Sequence, residues 1–81
     1  MQYEAEVILM EECGELTQAL SKIIRTNARE DTVEEMKKEL ADVVALIVYI
    51  QKKYNISREE MVAGIDEKIN KLKKWSSLYD N

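Results

Sequence analysis

The sequence predicts an all-α protein: an antiparallel helical hairpin plus a third helix, with a four-helix-bundle-like core formed by oligomerisation. Three observations carry this. Apolar residues recur at spacings of three and four in three segments, the chain has no proline and only two glycines, and short polar runs near residues 26–31 and 54–57 punctuate it. With 81 residues it is expected to form one domain over 1–81, whose core alone is marginal.

The first helix, roughly Tyr3 to Arg25, is marked by Leu9, Cys13, Leu16, Leu20 and Ile23 on one face. Cys13 lies on this stripe and reads as a small buried hydrophobe, with no neighbouring base to make it a nucleophile. Asn27 is placed for a left-handed turn. Thr32 with Glu35 three residues on has the form of a capping box, and Val33, Met36, Leu40, Val43, Ile47, Ile50 and Tyr54 continue as the second helix. Ser57 with Glu60 opens a third through Met61, Ile65, Ile69 and Leu72 to Trp75, and Ser76 to Asn81 are expected to fray. From Leu40 to Ile50 the only ionisable group apart from Tyr49 is Asp42. A helix apolar nearly all round must be buried nearly all round, and three short helices cannot surround it. A second copy is therefore expected to supply the cover, in a homodimer or homotetramer.

Composition excludes several chemistries. There is no histidine, which removes the usual zinc enzymes, Ser-His-Asp triads and carboxylate-histidine di-iron sites. A net charge of -4 argues against nucleic acid held by phosphate contacts. The wholly apolar run Val43 to Ile50 is far short of the ~18 residues of a membrane span, so no membrane partner is expected. A single cysteine and no basic leader fit a cytoplasmic setting. Charge is uneven: residues 1–42 carry eleven acids and five bases, and residues 43–81 carry five acids and seven bases.

Four acids stand where acids are costly. Helical periodicity puts Glu12 inside the apolar stripe of the first helix with Glu15 at its edge, while Glu11 points away. Glu39 flanks the stripe of the second helix, and Asp42 is set in its apolar run. Only Asp42 has a basic residue, Lys38, one turn away. In an antiparallel hairpin, residues of constant index sum share a level, and Glu12 with Asp42 and Glu15 with Glu39 both centre on Asn27. Four carboxylates at one height suit a hard divalent cation, Mg²⁺ before Mn²⁺, with Ca²⁺ less suited to catalysis.

These residues also carry a family pattern. Glu11-Glu12-Cys13-Gly14-Glu15 followed by Glu39-Leu40-Ala41-Asp42 resembles the EExxE...ExxD signature of the MazG-like all-α nucleoside triphosphate pyrophosphohydrolases, and the likeness runs from about residue 5 to 75. The resemblance implies a Mg²⁺-dependent enzyme that cleaves a nucleoside triphosphate between its α and β phosphates. It implies Glu12, Glu15, Glu39 and Asp42 as metal ligands, with Glu11 outside that set or orienting the attacking water. It also implies that a basic stretch on the last helix faces the site. Lys68 matches the family's lysine best, with Lys71, Lys73 and Lys74 beside it, while the family's asparagine four residues on is Leu72 here. Lys22 and Arg25 are further phosphate candidates. Ten residues precede Glu11, fewer than the family usually carries, so base recognition is expected to fall to Tyr3, Trp75 or a partner subunit.

Two other readings remain beside this one. One is a non-catalytic helical oligomerisation or regulatory module that keeps the bundle. The other is a dimeric dUTPase-like relative, which only a nucleotide panel separates from the first. Glu34, Glu35, Glu59 and Glu60 sit in first turns of helices, where acids favour the helix dipole, and are read as structural.

Overall fold

The computed structural model describes residues 2–80. Among these, three helices form: α1 (Glu4–Thr26), α2 (Glu30–Lys53) and α3 (Arg58–Trp75). Two asparagines end the first two. Asn27 takes φ 52°, ψ 49°, its N–H reaches the Ile24 carbonyl, and the Ala28 N–H donates to Ile23 O at 2.9 Å. Asn55 does the same at φ 55°, with Ile56 N–H donating to Gln51 O at 2.9 Å. Asparagine tolerates this left-handed backbone better than most residues, and the reversed bonds satisfy carbonyls that the helix ends leave open. Ala28 is also left-handed, at φ 59°, where its Cβ is unfavourable.

The α2 start departs from the capping box expected at Thr32 and Glu35. The helix begins three residues earlier, with Arg29 at the cap position and no side-chain cap. Thr32 is buried in the turn instead, where its hydroxyl donates to Arg29 O at 2.7 Å and lies 2.9 Å from the Thr26 hydroxyl. Glu35 accepts from Lys22 Nζ across the hairpin at 2.9 Å. Tertiary partners thus take both groups that a local box would have used. At α3 no such competitor exists and the expected box forms: Glu60 N–H donates to Ser57 Oγ at 3.0 Å and Ser57 N–H to Glu60 Oε2 at 2.9 Å. α3 ends at Trp75, as expected, and beyond it Ser76 Oγ donates to Leu72 O at 2.7 Å and Asp80 N–H to Ser77 O at 3.1 Å. Asn81 lies outside the described residues.

Packing is confined to α1 against α2. No Cα of α3 comes within 8 Å of either. Among the described residues the only buried apolar ones are Ala19 and Val43, one on each hairpin helix, and no large side chain is wholly enclosed. The radius of gyration is 15.2 Å, against about 12 Å for a compact chain of this length. The exposed area is 6769 Å², against about 5,000 Å² for a folded monomer of this mass. Leu40, Val44 and Val48 on α2 and Ile65 on α3 are all exposed. Cys13, expected inside, is exposed as well, because nothing in the same chain covers that side of α1.

The open end of the hairpin is held by a group that periodicity does not reveal. Lys53 Nζ donates to Glu6 Oε2 at 2.6 Å, Glu6 Oε1 at 2.8 Å and the Gln2 carbonyl at 2.8 Å, and Tyr54 Oη also donates to Glu6. The same ammonium lies 5.2 Å from the Tyr3 ring centre and 5.4 Å from that of Tyr54. Two charge-assisted donors hold the Glu6 carboxyl down at about 2, Lys53 contributing most and Tyr54 next.

Candidate metal centre

Helical periodicity on α1 and α2 turns one carboxylate set toward the seam between them. Glu12, Glu15 and Glu39 each place an oxygen so that all three lie within 4.8 Å of one another. In an octahedron with ligands at 2.0–2.1 Å, neighbouring oxygens stand about 2.9 Å apart and opposite ones about 4.2 Å, so the trio must draw together to share one ion. Asp42 is exposed and falls outside this trio, although its negative charge acts on both Glu12 and Glu39. The constant-sum argument fixes height but not angle, which is why four acids at one level give three converging oxygens.

The surroundings of these oxygens are unusual for carboxylates. Glu12 Oε2 and Glu39 Oε2 are shut off from water and accept no hydrogen bond. None of the ion pairs among the described residues involves Glu12, Glu15, Glu39 or Asp42. Burial pushes the Glu12 carboxyl above its ordinary value, and the charges of Glu15, Asp42 and Glu39 add to it. Burial is also the main cause of the rise at Glu39, followed by Glu15 beside it and the charge of Asp42. Buried acceptors without donors are costly, and repulsion makes them costlier. A divalent cation removes both penalties together, and an all-oxygen donor set matches Mg²⁺ or Mn²⁺. The residues present therefore fit such an ion.

The other candidate residues are dispersed. Glu11 is exposed on α1 beside Glu12. Lys22 lies two to three turns along α1 and is tied to Glu35. Lys68, Lys71 and Lys74 are exposed on α3, Lys71 facing Glu67 at 3.5 Å, and Trp75 at the end of α3 is 84% exposed. Because α3 stands clear of the hairpin, none of these four is brought to the carboxylates within one chain. A groove between the helix ends, around Ile8, Leu46 and Tyr49, lies one to two turns from the acids, and Lys53 at its edge is committed to Glu6.

Among the described residues no helix is long and apolar enough to cross a membrane. No curated protein and no solved structure matches the chain. The family model described as the MazG nucleotide pyrophosphohydrolase domain matches residues 4–76, which takes in the hairpin, the carboxylate cluster and all but the start and end of the described chain. The all-α fold and that match agree, and the chain belongs to the MazG nucleotide pyrophosphohydrolase domain family.

Proposed function

We propose that this chain is a Mg²⁺-dependent nucleoside triphosphate pyrophosphohydrolase, with Mn²⁺ able to replace Mg²⁺. It converts a (d)NTP to the monophosphate and pyrophosphate in the cytoplasm, as a single-domain subunit of a homo-oligomer. The observation that carries this is the pair of buried carboxylate oxygens without donors, Glu12 Oε2 and Glu39 Oε2, on facing helices. Glu12, Glu15 and Glu39 would hold the ion, and Asp42 would complete the set by a change of side-chain rotamer. When bound, the divalent cation supplies charge neutralisation of the triphosphate and a water of lowered pKa. The apolar residues of the seam around Ala19 and Val43 fix the backbone that carries the acids, so the ligands are preorganised. Glu11, exposed beside Glu12, is placed to orient the attacking water on the solvent side. Lysines of α3 supply the remaining positive charge for the phosphates.

The test is pyrophosphate release from a panel of NTPs and dNTPs, dUTP included, with Mg²⁺ or Mn²⁺. Release that disappears in Glu39→Gln, with helix content unchanged, is expected. No release with any nucleotide and either ion contradicts the proposal and favours the non-catalytic module. Activity confined to dUTP identifies the dUTPase-like alternative.

A further inference from the structure

We propose that the far end of α3 is a docking surface for an anionic phospholipid membrane, on which its lysines and the exposed Trp75, Leu78 and Tyr79 seat the protein at headgroup level. The inference stands apart from the pyrophosphohydrolase reading and concerns a part of the chain that does not touch the hairpin carrying the carboxylates.

The first support is local charge. Residues 68–79 hold four of the twelve basic residues and no acid, in a chain whose net charge is -4. Lys71 faces Glu67 at 3.5 Å, while Lys68, Lys73 and Lys74 make no ion pair among the described residues. Lysines gathered without counter-charge make a cationic surface that the overall balance conceals.

The second is the apolar surface set among these lysines. Trp75 is 84% exposed, Leu78 72% and Tyr79 48%. The turn after α3 brings them together at one tip. Ser76 N–H and Oγ both donate to Leu72 O, Leu78 N–H donates to Ser76 Oγ at 3.3 Å, and Lys73 Nζ lies 6.0 Å from the Tyr79 ring centre. Taking ~100° per residue, Trp75 lies about 80° round α3 from Ile65 on one side and Lys73 about 80° on the other, with Lys74 opposite. The tip is thus off the Met61, Ile65, Ile69 and Leu72 stripe and open to a different partner.

Chemistry selects that partner. Tryptophan and tyrosine rings favour the boundary between headgroups and acyl chains, an aliphatic side chain such as Leu78 enters the acyl region, and lysine stems lie along it while their ammoniums stay with the phosphates. A nucleic-acid strand would use the rings and the ammoniums, but an exposed leucine adds no stacking to it. Lysine next to an anionic leaflet strengthens binding about fivefold per residue. The acids of the same helix do not cancel this: Asp66 and Glu67 lie about 12–13.5 Å along the axis from Trp75, beyond the ~8 Å screening length. Asp80, at the end of the turn, is outnumbered by the four lysines. Lying on a membrane requires no spanning helix, only such a tip.

Trp75 is the only tryptophan, so its fluorescence reads the tip directly. The test titrates the 81-residue chain with vesicles of mixed phosphatidylglycerol and phosphatidylcholine, and with phosphatidylcholine alone. A blue shift of Trp75 emission and co-sedimentation are expected on the anionic vesicles, absent on the neutral ones and lost at about 0.5 M salt. Lys73→Gln should weaken binding about fivefold, and Leu78→Ser should weaken it too; both positions are exposed, and helix content by circular dichroism should not change. No shift on anionic vesicles, an equal shift on neutral ones, or binding that both variants leave unchanged overturns the proposal. Quenching of Trp75 by a single-stranded oligonucleotide, with no response to vesicles, overturns it in favour of nucleic acid. None of these outcomes depends on pyrophosphate release, so the docking surface and the proposed activity stand or fall separately.

Discussion

Substituting Ile65 with alanine separates a chain whose third helix stands alone from one whose third helix is buried by a second copy. In the single chain Ile65 is 51% exposed and α3 touches neither α1 nor α2. Removing its side chain there loses little contact, and alanine favours helix by a few tenths of a kcal/mol, so the change should fall within about 0.5 kcal/mol. If a second copy covers the α3 stripe of Met61, Ile65, Ile69 and Leu72, Ile65 lies near its centre. Truncating a buried isoleucine to alanine then costs about 2–5 kcal/mol. The assay is urea unfolding followed by circular dichroism at two protein concentrations a decade apart. A loss of at least ~2 kcal/mol is expected, with a midpoint that falls on dilution, because association and folding are linked. A change within ~0.5 kcal/mol and a concentration-independent midpoint refute the reasoning.

Metal-free protein should lose stability as pH rises from the ordinary glutamate value of 4.5, since Glu12 and Glu39 have folded pKa values above it and the folded state holds more protons there. Saturating Mg²⁺ should remove that slope, and a profile unchanged by Mg²⁺ speaks against the ion site. Glu6 has the opposite sign: held at about 2, it contributes stability above 4.5 that is lost as pH falls toward 2, so Glu6→Gln should lower stability at neutral pH and flatten the acid limb in urea melts. Ala28→Gly should stabilise by about 0.5–1 kcal/mol in the same melts, because φ 59° strains alanine and not glycine; a destabilised variant would show that unfolded-state entropy outweighs the strain.

What the sequence revealed depended on how far apart the deciding residues lie. The Ser57 and Glu60 box was legible because both partners are local and nothing competes for them. The same pattern at Thr32 and Glu35 misled, since Thr26 and Arg29 in the turn engage the Thr32 hydroxyl and Lys22 on α1 takes Glu35. The height of the acids followed from hairpin arithmetic, and the half-buried place of Glu12 from periodicity, whereas Glu39 was expected only to flank its stripe. The outward angle of Asp42 did not, because an index sum carries no rotation. The Glu6, Lys53 and Tyr54 group was missed for a related reason: it joins residues 47 and 48 positions apart through long side chains. A hint was present, as Glu6, like Glu12, has no base three or four residues away on its own helix. The place of α3, and the exposure of Cys13 and Leu40, lay beyond any single-chain reading, because the surfaces they need are not in the same chain.

The central claim is that the carboxylates between α1 and α2 hold the divalent cation that activates a nucleoside triphosphate. The most direct measurement is anomalous scattering from Mn²⁺ in crystals grown with a non-hydrolysable nucleotide. The account predicts an anomalous peak among Glu12, Glu15 and Glu39, within about 2.3 Å of an oxygen of each, and contiguous with the triphosphate. A nucleotide bound elsewhere, or one bound here with those three carboxylates free of metal, would contradict it.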